Sequence, residues 1–195
     1  ICDYNNPTCL QLRKSDNSYI PAGIISDKVL GTRSTNAVTF YDLQDQAIGY
    51  VDGEDGNDTN NGYSFESALK TIQKAISNGF KTIFVKAGIY SGGITLNNLS
   101  GITISCYKPL NGFDPDDSPN NPKVIIDCDD TLSFGVYITN CSDITIEDVC
   151  VANPTMYGWL IDSSTDLHLN GCIAHDTGDN GFRIRDVNGY FKECL

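Results

Sequence analysis

Near the end of this 195-residue chain, the run Gly181-Phe182-Arg183-Ile184-Arg185-Asp186 alternates apolar and basic side chains. Alternate side chains of an extended strand share a face, so Phe182 and Ile184 point one way and Arg183 and Arg185 the other. Two similar runs precede it, opening at Gly135 and Gly158, with 23 residues from each run to the next. Stacking the three aligns Tyr137, Leu160 and Arg183 in one outward column and Thr139, Asp162 and Arg185 in another. His168 projects outward from the neighbouring strand, and the turn His175-Asp176-Thr177-Gly178-Asp179-Asn180 adds an imidazole and two carboxylates. Such a set has two chemistries. Two carboxyl groups, Asp176 with Asp179 or either with Asp162, supply a general acid and a general base or nucleophile. Alternatively, Arg183 or Arg185 neutralises a substrate carboxylate while His175, Tyr137 or Tyr157 takes the adjacent proton. The plain alternative is a surface ion pair, Asp162 with Arg185, beside an Asx-rich turn.

What must position these residues is a repeat. Each run is a Gly, an apolar–variable–apolar triplet, a turn of Asn, Asp and Ser, and a second alternating strand marked by Ile144 and Ile146, by Leu167 and Leu169, and by Tyr190. Five of the eight cysteines, Cys106, Cys128, Cys150, Cys172 and Cys194, recur every 22 residues. A fixed period of this size marks stacked supersecondary units, and the expected unit is one coil of a right-handed parallel β-helix. The two registers differ by one residue, and the apolar pattern puts Val149, not Cys150, at the place Cys172 holds. The thiols are expected to be reduced and buried as small hydrophobes. Cys2 and Cys9 flank a turn and could pair. No cysteine or histidine spacing suggests zinc. Trp159 aligns with Val136 and Phe182, which predicts a core position rather than a sugar-stacking one.

Residues 1–46 do not follow the repeat and read as a β-rich or extended lead-in of unreadable role. Residues 47–195 read as the solenoid, truncated at the C-terminus because Leu195 falls part-way through a coil. Residues 65–78 predict one helix, with Ser64 as N-cap, a stripe of Ala68, Leu69, Ile72, Ala75 and Ile76, and Gly79 as its stop. Before it, Asp52, Glu54, Asp55, Asn57 and Asp58 crowd one loop. Hard oxygen ligands at such spacing suit Ca²⁺, with Asp52, Asp55 and Asp58 as ligands; the plain alternative is a string of Asx turns. The excursion from Tyr107 to Pro122 carries Asp114, Asp116 and Asp117, either a groove wall or cation site or a solvated loop. A net charge of −12 with dispersed Lys and Arg argues against nucleic acid and an anionic membrane surface. No run of apolar residues is long enough to insert in a membrane.

The segment from Tyr50 to Tyr90 resembles the N-terminal signature of pectate-lyase-like right-handed β-helix proteins. The matching features are Tyr50-Val51, the Asp/Gly/Asn loop, the Thr71-Ile72-Gln73-Lys74-Ala75-Ile76 helix and the strand ending Gly88-Ile89-Tyr90. The run from Cys172 to Ile184 is similar to the inter-coil turn of that superfamily. Tyr157-Gly158 followed by Asp162 is similar in residue type to a region of alginate epimerases, but its spacing departs and no role is carried over. The resemblance implies an all-β solenoid, a right-handed parallel β-helix whose N-terminal α-helix caps the open end. It also implies a carbohydrate-active protein, a polysaccharide lyase or depolymerase acting on extracellular glycan. The alternative it implies is a non-catalytic adhesin or tailspike shaft, homotrimeric if a spike. Either is expected outside the cell, at a cell surface or on a virion.

Overall fold

The computed structural model describes residues 48–107 and 124–195 in full, together with the backbones of four short strands before them. Contacts divide the chain into Ile1–Asp45 and Gln46–Leu195. In the first unit, β1 (Gln11–Arg13) pairs antiparallel with β2 (Tyr19–Pro21), and β3 (Lys28–Leu30) with β4 (Phe40–Asp42). Cys2, Cys9 and the Asp114, Asp116 and Asp117 loop lie outside the described residues.

Among the described residues, every strand pairing in the second unit is parallel. Its first strands are β5 (Ile48–Val51), β6 (Thr82–Val85), β7 (Gly88–Ser91), β8 (Ile94–Asn97), β9 (Ser100–Cys106) and β10 (Val124–Asp127). They are followed by β11 (Phe134–Thr139), β12 (Ser142–Glu147), β13 (Val149–Ala152), β14 (Tyr157–Asn170), β15 (Ile173–His175) and β16 (Phe182–Lys192). Three rows of parallel pairing result. One runs β8, β11, the first half of β14 and the start of β16; the second runs β5, β6, β9, β12, the second half of β14 and the end of β16. The third is the separate sheet β7-β10-β13-β15. The first two are joined because β14 passes through its bend at Ser163 and Asp166, both in the left-handed region, without leaving the sheet. This curled, all-β, coil-on-coil arrangement is compatible with a β-helix or solenoid.

Like residues stack on like residues along the inside. Ile102, Ile144 and Leu167 share one rung line, and Ile104, Ile146 and Leu169 the next. Val136, Trp159 and Phe182 form another line, in which the Trp159 ring is fully buried and lies 5.6 Å from Phe182, nearly parallel to it. The core position expected for Trp159 is the one observed, with its indole N–H donating to the Ile173 carbonyl at 3.1 Å.

Three sequence expectations are corrected. Residues 65–78 are not one helix. A 3-10 turn (Phe65–Ser67) is followed by extended backbone at Leu69, which pairs with Tyr50 and Asp52, and then by α1 (Ile72–Ser77). The break has a chemical cause. One oxygen of Asp58 accepts the N–H groups of Lys70 and Thr71, both at 2.9 Å, and the other accepts the Thr71 hydroxyl. Ser64 forms no side-chain cap; Thr71 is the N-cap of α1, accepting from Lys74 N–H at 3.2 Å. Gly79, at φ +84°, follows the helix as expected of a stop. Second, Tyr190 does not occupy the inner row. The register slips between Ser164 and Leu167, so Leu167 faces Gly189, Leu169 faces Phe191, and Tyr190 lies outside beside His168. Third, the cysteine comb is not one ladder. Cys150 pairs with Ile173 and Val149 takes the Cys172 place, as the pattern implied; Cys106, Cys172 and Cys194 lie at or just past strand ends of the second row, whereas Cys128 and Cys150 belong to the separate sheet, where β10 and β13 pair at an offset of 25. Cys106, Cys128, Cys141, Cys150 and Cys172 are nonetheless buried.

Candidate functional site

The register forms both expected columns, although Thr139 of the second is buried. Tyr137 faces Leu160, which faces Arg183; Thr139 faces Asp162, which faces Arg185. The Arg185 guanidinium grips Asp162 with two donors, Nε to Oδ1 at 3.1 Å and Nη2 to Oδ2. That contact holds the Asp162 carboxyl below the usual carboxylate range and raises the Arg185 pKa. Arg185 is therefore already neutralised. Arg183 is not. Its Nη1 donates to the Tyr157 hydroxyl at 3.1 Å, its guanidinium carbon stands 5.2 Å from the Tyr157 ring centroid, and among the described residues no carboxylate pairs with it. The ring orients the cation and leaves its charge available to a ligand.

His175 and Asp176 lie at the end of β15, on the separate sheet. His175 Nδ1 is 2.8 Å from Asp176 Oδ2, and both side chains are exposed. Register places His175 in an outward row with Ala152, Asp127 and Ser91. Asp127 is a residue the sequence reading missed. Its Oδ1 accepts from Asn153 Nδ2 and from Asp129 N–H, each at 3.0 Å, and these donors hold its pKa low. Asp127 and Asn153 escape a 22- or 23-residue rule because β10 and β13 pair at an offset of 25. Asp179 accepts from Asn180 at 2.8 Å within the turn. His168 sits between Thr145 and Tyr190, its ring 6.5 Å from the tyrosine ring. The named residues thus divide among three groups: Arg183, Arg185, Asp162, Tyr137 and Tyr157 on one row; His168 on the next; and His175 and Asp176 at the third, with Asp179 in the turn that leads back to the first, its N–H donating to the Met156 carbonyl at 2.9 Å. Among the described residues no hydrogen bond or ion pair joins His175–Asp176 to Asp162–Arg185.

The acidic loop is occupied by protein donors. Asp52 is 5% exposed; its Oδ2 meets Lys86 Nζ at 2.6 Å and its Oδ1 accepts the N–H groups of Glu54 and Asp55. Burial opposes ionisation of Asp52, but Lys86 and the two N–H groups outweigh it and lower the pKa. Asp58 is held by Lys70 and Thr71, while Asp55 is exposed, 3.7 Å from Lys86. Among the described residues no three His, Cys, Asp or Glu side chains are grouped so as to hold a metal ion.

Sequence reasoning also missed a cleft of about 260 Å³ between α1 and the β7–β8 turn, lined by Lys70, Thr71, Gln73, Ile89, Tyr90 and Ile94 among others. Gln73 closes one side, exchanging hydrogen bonds with the backbone of Thr95 at 2.7 and 3.4 Å. None of the named site residues lines it. Among the described residues no helix is long and apolar enough to cross a membrane. No family model matches this chain, and neither a curated protein nor a solved structure matches it.

Proposed function

We propose that residues 47–195 form a right-handed parallel β-helix of the pectate-lyase-like kind, with α1 capping one end. On this reading the chain engages extracellular polysaccharide along the outward Tyr137–Leu160–Arg183 column. The observation that carries the reading is Arg183: an exposed guanidinium braced by Tyr157, with an available charge, in a column of neighbouring coils. A linear glycan lying across the coils meets Tyr137, Leu160 and Arg183 in turn, and Arg183 pairs with a carboxylate or with sugar hydroxyls. Binding is favoured over bond cleavage because the acid–base groups fall on different rows and Arg185 is committed to Asp162. Secretion or display at a cell or virion surface follows from such a ligand.

The His175–Asp176 contact supports a second reading, a polysaccharide lyase or depolymerase. A carboxylate oriented on Nδ1 would make Nε2 a general base, with Asp127 two coils away in the same row. One experiment separates the two. The chain is incubated with a panel of uronate-containing and neutral polysaccharides, following affinity, unsaturated product by ultraviolet absorbance, and reducing ends. Retention of glycan without product, lost in Arg183→Gln, is the outcome expected of a binder. Product formation that is lost in His175→Ala but kept in Arg183→Gln supports the enzyme. No binding and no product with any glycan rejects both.

A further inference from the structure

Cys172 and Cys194 are the one pair of the cysteine comb that reaches the same rung of consecutive coils. Asn170 pairs with Lys192 on one side of them. On the other side, Leu195 N–H donates to the Cys172 carbonyl at 3.1 Å and Ala174 N–H to the Leu195 carbonyl at 2.9 Å. In-register neighbours lie about 4.8 Å apart, inside the Cα separation of about 4.4–6.8 Å that a disulfide spans. Both residues lie just past strand ends, where the parallel ladder constrains side-chain direction least.

The two sulfurs are not equivalent. Cys172 is fully buried and close to the carbonyls of Ile146 and Asn170, at 3.4 and 3.7 Å. Cys194 is partly exposed. The neighbouring Cys172 pulls the Cys194 pKa below the ordinary thiol value, while Cys194 and burial push Cys172 up. Cys194, whose S–H faces the carbonyls of Lys192 and Leu169 at 3.4 and 3.6 Å, is thus the more accessible and more acidic thiol, with Cys172 behind it.

We propose that Cys194 and Cys172 form a thiol–disulfide exchange site for low-molecular-weight disulfides, closing to a disulfide that fastens the end of β16 to the end of β14. The Cys194 thiolate attacks one sulfur of the disulfide, forming a mixed disulfide and expelling one thiolate. Cys172 then attacks the Cys194 sulfur. Its proton leaves to solvent or to the departing thiolate, and a second small thiol is released. Two protein thiols and one small disulfide thus become one protein disulfide and two small thiols. The step needs no other oxidant.

The test uses the reduced full chain and oxidised glutathione, quenched at intervals and mapped by peptide mass. The expected course is glutathione on Cys194 first, then its loss as a Cys172–Cys194 link accumulates. The rate of the first step should rise with pH through a midpoint below that of an ordinary cysteine thiol. Cys172→Ser should trap the glutathione adduct on Cys194, and Cys194→Ser should slow any modification of Cys172 at least tenfold. Where Cys172→Ser fails to fold, the order of species in the unmodified chain decides alone. Modification of Cys194 no faster than that of buried Cys141, or links only between other cysteines, overturns the proposal.

Discussion

At the residue scale, the clearest contrast is between two arginines two positions apart. Arg185 and Asp162 satisfy each other; Arg183 is held by a ring and keeps its charge. Arg185→Gln should therefore release Asp162, whose carboxyl pKa will rise towards the ordinary value, measurable by NMR titration of the side-chain carboxyl carbon. Asp52 gives a second expectation with a definite sign. Its folded pKa is depressed by Lys86 and two N–H groups, so its stabilisation is complete above the unfolded value of about 3.9 and disappears as pH falls through the folded value. Asp52→Asn should cost about 1–3 kcal/mol in urea denaturation at neutral pH. The gap to the parent should then close under strong acid. Pairing of Asp162 with Arg185 was legible because it needs only alternation and a period. The role of Asp52 was not. A carboxylate in an Asx-rich loop reads equally as cation ligand or internal acceptor until the partner, Lys86, is seen 34 positions away.

At the scale of elements, the strands were legible and the helix was read too long. Period-two alternation survives in β11, β12 and both halves of β14 because each has one wet and one buried side. Residues 65–78 carry an equally good helical stripe, yet the Asp58 carboxylate pins Lys70 and Thr71 in extended backbone and the stripe is cut. Propensity was overridden by a contact from 12 and 13 residues upstream. Thr71→Ala should then act twice, removing the N-cap of α1 and one partner of Asp58. A loss of about 1 kcal/mol by denaturation is expected, and Thr71→Ser should restore most of it. Close packing between rows gives a sharper test. A Cβ at Gly135 would lie 2.2 Å from Val151 Cγ1 on β13. Gly135→Ala should cost about 1–3 kcal/mol from overpacking. Adding Val151→Ala should recover part of that loss, because the clash is with a side chain rather than backbone.

At the scale of the whole molecule, the proposed polysaccharide binding sets long-range charge against local charge. The chain carries a net charge of −12, so its long-range field repels a polyanion, whereas on the proposed reading Arg183 attracts one locally. The two effects respond differently to salt. Repulsion from charges spread over the molecule acts beyond the Debye length, about 10 Å at 0.1 M, and is screened first; a short, ring-braced guanidinium–carboxylate contact is screened less. Affinity for a uronate polysaccharide should accordingly rise as ionic strength increases from about 10 mM towards 0.1 M. It should fall only at higher salt, while affinity for a neutral glycan stays flat. In Arg183→Gln the uronate polysaccharide should lose its binding at every salt concentration. A monotonic fall from the lowest salt upward would mean that a basic surface outside this column does the binding, and the assignment of Arg183 would have to be abandoned.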